Sequence, residues 1–470
     1  MFHPMSRQKL LSSVVVFCKN LKALISLSVL LFLGCAGPVV SASHDSTASP
    51  ILGDVYTNQS LKASGKSSCK TAQNLKVNFL KPVGERQLSD WAMNHSPMLK
   101  VARMQIKQTK AKRYRFQYWT PYNPNVQTDI GTRTEQGDVG LELGVSIQQQ
   151  FEIGGQRALR RGVVQADVAV SKARLDELCW SLKVKLKEMV ALAQLSQQRI
   201  ATMNALKALY EKSYTLAQKR VLAGQDAKPV LLALRVDLAQ LKQQLLNAQS
   251  IFKLQVSQIK QIVGLPPSHK LILEKNVQLS KWYTIPSQDA LTKRALIYNK
   301  RLRTQSKRVA KANAESSLQI REGWVDPTVG LSYGREGGRD PAHLFMLSLS
   351  VDIPLFDKNQ EKIASAHADV LLQRARMRQM SRYVQMQIAQ TCTQFNAAKT
   401  QLDVYSKTIA PTLKQDMYNV QTAFVAGELG LSKLVQVQKR IFAIELSNLD
   451  AQRQMIIART KIERLVGGRL

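Results

Sequence analysis

Acidic residues are scarce in this chain. It has 33 Asp and Glu against 67 Lys and Arg over 470 residues, a formal net charge of +34. Aromatics are also few, at 6%, although hydrophobic residues make up 44%. Ala, Leu, Gln, Lys and Arg dominate instead, which is the composition of long packed helices rather than of a compact enzyme core. Histidines number 6 and are scattered, with no H-x-H or H-E-x-x-H spacing, so no metal site is expected. No nucleophile–base set or phosphate-binding loop is visible, and neither enzymatic activity nor a cofactor is expected. Cysteines number 5 and show no C-x-x-C spacing. Cys69, Cys179 and Cys392 therefore read as small buried hydrophobes rather than a disulfide framework. Long apolar runs are missing too. The stretch Ala23–Leu33 is too short to span a bilayer, which takes about 20 residues, and no later segment reads as a transmembrane helix.

The basic charge is not gathered in a tail. Arg103, Lys107, Lys110 and Arg113, then Arg301, Arg303, Lys307 and Arg308, then Arg374, Arg376, Arg378 and Arg382 fall at intervals on helical segments. They read as solvated helix faces, with polyanionic surfaces such as lipopolysaccharide as the alternative. No nucleic-acid partner is expected. At the N-terminus, Arg7, Lys9, Lys19 and Lys22 precede the apolar run, and Val40-Ser41-Ala42 offers small residues for cleavage. Residues 1–42 thus read as an export signal. Acylation of Cys35, after Phe32-Leu33-Gly34, is the competing expectation.

What is present is a duplication. Leu88, Ala92, Leu99, Pro124, Val126, Gly224, Ala248 and Gly264 recur as Leu291, Ala295, Leu302, Pro327, Val329, Gly427, Ala451 and Gly467, each 203 residues later. A repeat of this kind fixes the architecture before any local feature does. The expected organisation is a low-order segment 43–87, a first repeat 88–264, a linker 265–290 marked by Pro266-Pro267, and a second repeat 291–467.

Each repeat predicts a helix (88–118 and 291–321), two strands, a long outgoing helix (156–222 and 360–425) and a return helix. In the strands, Leu141, Leu143, Val145 and Ile147 alternate with Glu142, Gly144, Ser146 and Gln148. In the second copy, Leu347, Leu349, Val351 and Ile353 alternate with Ser348, Ser350 and Asp352. Period-2 alternation sorts apolar and polar side chains onto opposite faces. Leu143, Val145, Leu349 and Val351 are expected to meet lipid, and Glu142, Ser146, Ser348, Ser350 and Asp352 to line a lumen. The first outgoing helix would be roughly 100 Å long at 1.5 Å per residue. The return helices carry 3-4 seams, Leu231–Ile262 and Leu434–Leu465, of the coiled-coil kind. Gly224-Gln225-Asp226 and Gly427-Glu428 mark the hairpin tips, where a partner could dock end to end.

Two strand pairs give four strands per chain, too few to close a barrel, and an open edge in lipid leaves backbone groups unpaired. Eight strands from a dimer would leave a filled lumen, whereas twelve from a homotrimer leave a path. The expectation is a trimeric conduit, mainly α with a membrane β end: a twelve-stranded barrel continued by a long α-helical barrel.

The stretches Phe151-Glu152-Ile153-Gly154-Gly155-Gln156-Arg157 and Ile353-Pro354-Leu355-Phe356-Asp357-Lys358-Asn359-Gln360, the tip glycines and the terminal Leu465-Val466-Gly467 resemble those of TolC-type outer-membrane efflux proteins. The pair of motifs is most similar to the cobalt–zinc–cadmium branch, except that Glu361 stands where that branch often has Gly. The resemblance covers about 88–470. It implies an outer-membrane channel with a long periplasmic extension, passively conducting substrate, heavy-metal cations in that branch. It also implies docking of the tips onto a periplasmic adaptor and an inner-membrane RND-type pump. The outer channel of a multidrug pump or of a type I protein exporter would share the fold, and a basic coiled-coil scaffold is the reading from a different class.

Overall fold

A computed structural model of the chain describes residues 79, 81–135, 138–224, 227–274, 282–337, 342–426 and 428–469. All belong to one unit, Asn58–Leu470. Cys35, Gln225, Asp226 and Gly427 lie outside the described residues, as does the whole of 1–78.

The first repeat runs α1 (Glu85–His95), α2 (Pro97–Ala111), a 3-10 turn (Lys112–Phe116), β1 (Asn125–Glu135), β2 (Asp138–Gln150), α3 (Gln156–Leu222) and α4 (Lys228–Val263). The second runs α5 (Gln288–Tyr298), α6 (Lys300–Glu322), β3 (Thr328–Glu336), β4 (Ala342–Ser350) and α7 (Gln360–Val404). A π-turn (Tyr405–Ile409), α8 (Ala410–Val425) and α9 (Leu431–Val466) complete it. The four strands form one antiparallel sheet in the order β1-β2-β3-β4.

The expected opening helix is two helices in each repeat. The break falls at Ser96 and Asn299, whose backbones are extended (ψ 125° and 122°). The two positions are 203 apart. Pro97 cannot donate a backbone hydrogen bond and so starts α2 rather than continuing α1. Asn299 does the equivalent work by capping α6, its Oδ1 accepting from the amides of Arg301 and Leu302 at 2.9 Å. The second outgoing helix is also broken. Its π-turn ends at Ile409, two residues before Pro411, where the missing N–H removes an intrahelical bond.

The repeat pairs are core pairs. Leu88, Ala92 and Leu99 are buried with Ile259 and Val263 in one cluster. Their counterparts Leu291, Ala295, Leu302, Ile462 and Val466 are buried in another with Phe395 and Met455. Each fully buried Leu or Ile contributes about 1.5–3 kcal/mol. Phe79 and Val83, in the stretch expected to be low-order, belong to the first cluster, and Val83 bridges to Leu273. Too short for a periodicity, that stretch hid its apolar contacts from the sequence. α4 and α9 each close on a left-handed glycine, Gly264 and Gly467 (φ 82° and 73°). A Cβ at Gly264 would lie 2.8 Å from the carbonyl oxygen of His95, and one at Gly467 would overlap that of Tyr298. These carbonyls immediately precede the two helix breaks, so glycine is required twice for one packing reason.

Cys179 corrects the cysteine expectation. It is buried and disulfide-bonded. Nothing in its spacing signalled this. Cys392 is free and buried.

Candidate functional site

The sheet is built from residues that alternate in character, and the register carries that alternation across all four strands. Val126 pairs with Ile147, Ile130 with Leu143, Val145 with Tyr333, Ile147 with Leu331, and Leu331 with Leu347. Directly opposite residues share a face. One face therefore holds Ile130, Leu143, Val145, Leu331, Phe345 and Leu349, and it lies open: Ile130 is 75% and Phe345 78% exposed. So large an exposed apolar area marks an interaction surface. Near its far end Tyr333 OH meets His343 Nδ1 at 2.8 Å.

The other face holds Glu142, Ser146, Ser348 and Ser350 with Asp129, Ser332 and Glu336. On it Arg133 bonds Glu336 at 2.7 Å and lies 3.9 Å from Glu142. Leu344 and Met346 interrupt its polarity, since Leu344 pairs with Gly334 and Met346 with Ser332. β4 ends at Ser350, so Val351 and Asp352, expected within a strand, lie just beyond it. The segment Val351–Phe356 instead leads into a turn. Pro354 cannot donate to a ladder, and Asp357 Oδ1 accepts from the amide of Asn359 at 2.8 Å.

The motifs at the strand–helix junctions work as connectors. Gly155 and Asn359 both take left-handed backbones (φ 76° and 63°) and cap α3 and α7. Asn359 Nδ2 donates to the carbonyl of Gln319 at 2.8 Å. Gln156 Nε2 donates to Asp326 at 2.8 Å. Arg160 joins Glu152 to Glu322, the latter at 3.2 Å. Arg157 donates to the Gln117 carbonyl and Arg161 to that of Phe116, at the end of the 3-10 turn. Glu322 and Asp326 come from the second repeat, so the two repeats are bolted together at the foot of the sheet. Sequence reasoning missed these partners, because residues 162 and 170 apart give no local signal.

Away from the sheet, α3 packs on α2, α4, α6 and α9, and α7 packs on α6 and α9. Between α3, α4 and α9 lies a cavity of about 720 Å³ lined by Arg199, Gln255, Asp450 and Arg453 among others. Arg199 bonds Asp450 at 2.8 Å, and Ser196 donates to Gln255 at 2.8 Å. At the tips, Gly224 is left-handed (φ 71°) with open space around it. Glu428 is exposed, and its amide donates to the Ala423 carbonyl at 3.0 Å. Beside the tips Leu234, Leu431 and Leu434 are buried together, with Phe424 against them. Among the described residues, no helix is long and apolar enough to cross a membrane.

Residues 291–468 match the family described as outer membrane efflux protein. The match falls on the second repeat. A relative of this chain is the nickel-cobalt-cadmium resistance protein NccC of Alcaligenes xylosoxydans xylosoxydans, 24% identical over 287 residues. That match spans 60% of this chain and 63% of the relative's length. Among solved structures, CusC, in crystal structures that follow its folding and transmembrane channel formation, is similar at a TM-score of 0.67 and 12% identity. The likeness covers 85% of this chain and 96% of that one. The open state of the Neisseria gonorrhoeae MtrE outer membrane channel gives 0.66 and 13%, over 82% and 89%. At these identities the likeness is one of fold. The fold is thus a β sheet continued by long helical hairpins, as in those channels.

Proposed function

We propose that this chain is the outer-membrane channel of a tripartite efflux system and works as a homotrimer. The observation that carries this is the sheet: β1 and β4 are edges, and one face is apolar and exposed. In lipid, each unpaired backbone group on an edge costs several kcal/mol. Three copies of four strands close a twelve-stranded barrel and leave a water-filled path. The helices have matching needs. α4 exposes Leu232, Val236 and Leu254, and α7 exposes Leu371 and Met386, apolar positions that a neighbouring copy would cover.

In that assembly Leu143, Val145 and Leu349 face lipid, with Val351 beyond them at the strand end. Glu142, Ser146, Ser348 and Ser350 line the lumen, with Asp352 below. The tips at Gly224, Gln225, Asp226, Gly427 and Glu428 dock a periplasmic adaptor, which joins the channel to an inner-membrane RND-type pump. Similarity to a nickel-cobalt-cadmium resistance protein supports heavy-metal cations as the substrate. The channel itself conducts passively.

Light scattering of the detergent-solubilised protein should give three chains per particle, and planar bilayers should show discrete conductance steps. Deleting the gene should sensitise cells to nickel, cobalt and cadmium. A stable, non-conducting monomer would overturn the channel. Sensitivity to drugs but not to metals would overturn the substrate.

A further inference from the structure

One exposed surface has no role in the conduit. From Trp91 to Thr128 the sequence carries seven basic residues, Lys100, Arg103, Lys107, Lys110, Lys112, Arg113 and Arg115, and no acidic one. Two are engaged: Arg103 donates to the Met93 carbonyl and Lys112 to Asp167. Arg113 and Arg115 are exposed on the 3-10 turn and have no acidic partner among the described residues. They alternate with aromatics. Tyr114, Tyr118 and Trp119 are 67%, 73% and 64% exposed.

This surface has a defined height. Thr120 Oγ1 donates to the carbonyl of Gln150, the last residue of β2, at 3.1 Å. It also has a defined side. Gln149 shares the apolar face, pairing with Val329, and its Nε2 donates to the Tyr122 carbonyl at 3.2 Å. Trp119 packs on Phe151, the residue that follows β2, with ring centroids 5.0 Å apart. The basic-aromatic turn therefore sits at the helix-side end of the sheet, on the side of its apolar face. The second repeat has a smaller version: Arg321 lies over the ring of Trp324, 4.4 Å from its centroid, just before β3. Arg157 and Arg161 hold the turn's carbonyls, so the platform is fixed.

Tyr and Trp rings prefer the water–hydrocarbon boundary, and arginines beside them attract anionic head groups. We propose that the Arg113–Trp119 surface binds anionic phospholipid head groups in the leaflet at the helix-side end of the barrel. This rests on the outer-membrane channel reading. Charge complementarity selects the occupant: two arginines with no competing carboxylate among the described residues, beside aromatics level with the end of an apolar sheet face.

The test uses the full chain in phosphatidylethanolamine nanodiscs containing either brominated phosphatidylglycerol or brominated phosphatidylcholine. The difference between wild type and Trp119→Phe isolates the fluorescence of Trp119. Quenching by the brominated phosphatidylglycerol should exceed that by the phosphatidylcholine about twofold or more. In Arg113→Gln/Arg115→Gln the two lipids should quench Trp119 equally. Equal quenching in the wild type would overturn the site, and so would no quenching by either lipid, as when a second copy covers Trp119. These leave the channel reading intact. Failure to insert into nanodiscs would overturn both.

Discussion

The two outgoing helices differ more than their shared repeat suggests. α3 runs 67 residues without interruption, whereas its counterpart is 45 residues of α7, a π-turn and 16 residues of α8. The contrast coincides with one substitution: Pro411 stands where the first repeat has Ala208. The helix is smooth through this position in one copy and widened just before it in the other. Duplication thus preserves the core pairs and lets the outgoing helices diverge. A second divergence lies higher up. Asp167 in α3 joins Lys112 and Lys311, while its counterpart Val370 is simply buried.

The largest expected effect probes the cores. Phe395 is fully buried, while its counterpart Leu192 is only partly so. Phe395→Ala should cost about 3–5 kcal/mol and Leu192→Ala less, measured by thermal unfolding of the detergent-solubilised protein. Equal losses would mean that the two copies pack alike. Next is the swap at the broken helix. Ala208→Pro, at an exposed position of α3, should cost about 3 kcal/mol. Pro411→Ala should instead slow amide hydrogen exchange across Tyr405–Ala410 as the π-turn closes into an α-helix. Unchanged exchange there would show that proline is not its cause.

The glycines give a smaller contrast. Gly264→Ala meets the His95 carbonyl and should cost about 2–3 kcal/mol, while Gly224→Ala meets only open space and should cost about 1 kcal/mol. Similar shifts in the unfolding midpoint would mean that backbone strain, not packing, sets both. The smallest effect concerns Asp167. Burial alone would raise its pKa, but hydrogen bonds from Lys112 and Lys311 outweigh burial and hold it below the usual value. A lowered carboxyl stabilises the folded state above its unfolded pKa of about 3.9, and that stabilisation is lost as pH falls through the folded value. Asp167→Asn should cost about 1 kcal/mol or less at neutral pH and should flatten the loss of stability in acid.

The repeat, the alternation of the strands and the helix-ending glycines were legible in the sequence, because each is a local periodicity or a backbone requirement. Leu143 and Glu142 fall on opposite faces for that reason alone. The breaks at Ser96 and Asn299 were half legible, through Pro97. Other features belong to the tertiary structure. The end of β4 at Ser350 depends on where the next turn begins, and Arg160 meets Glu322 only because β2 pairs with β3. The burial of Phe79 also depends on contacts distant in sequence. By itself the sequence determined the repeat, the two strand pairs and which face of each strand is apolar, since those follow from chain geometry. Only the tertiary structure decided how the two repeats are joined, because ion pairs and packing across more than a hundred residues are set by the fold that brings them together.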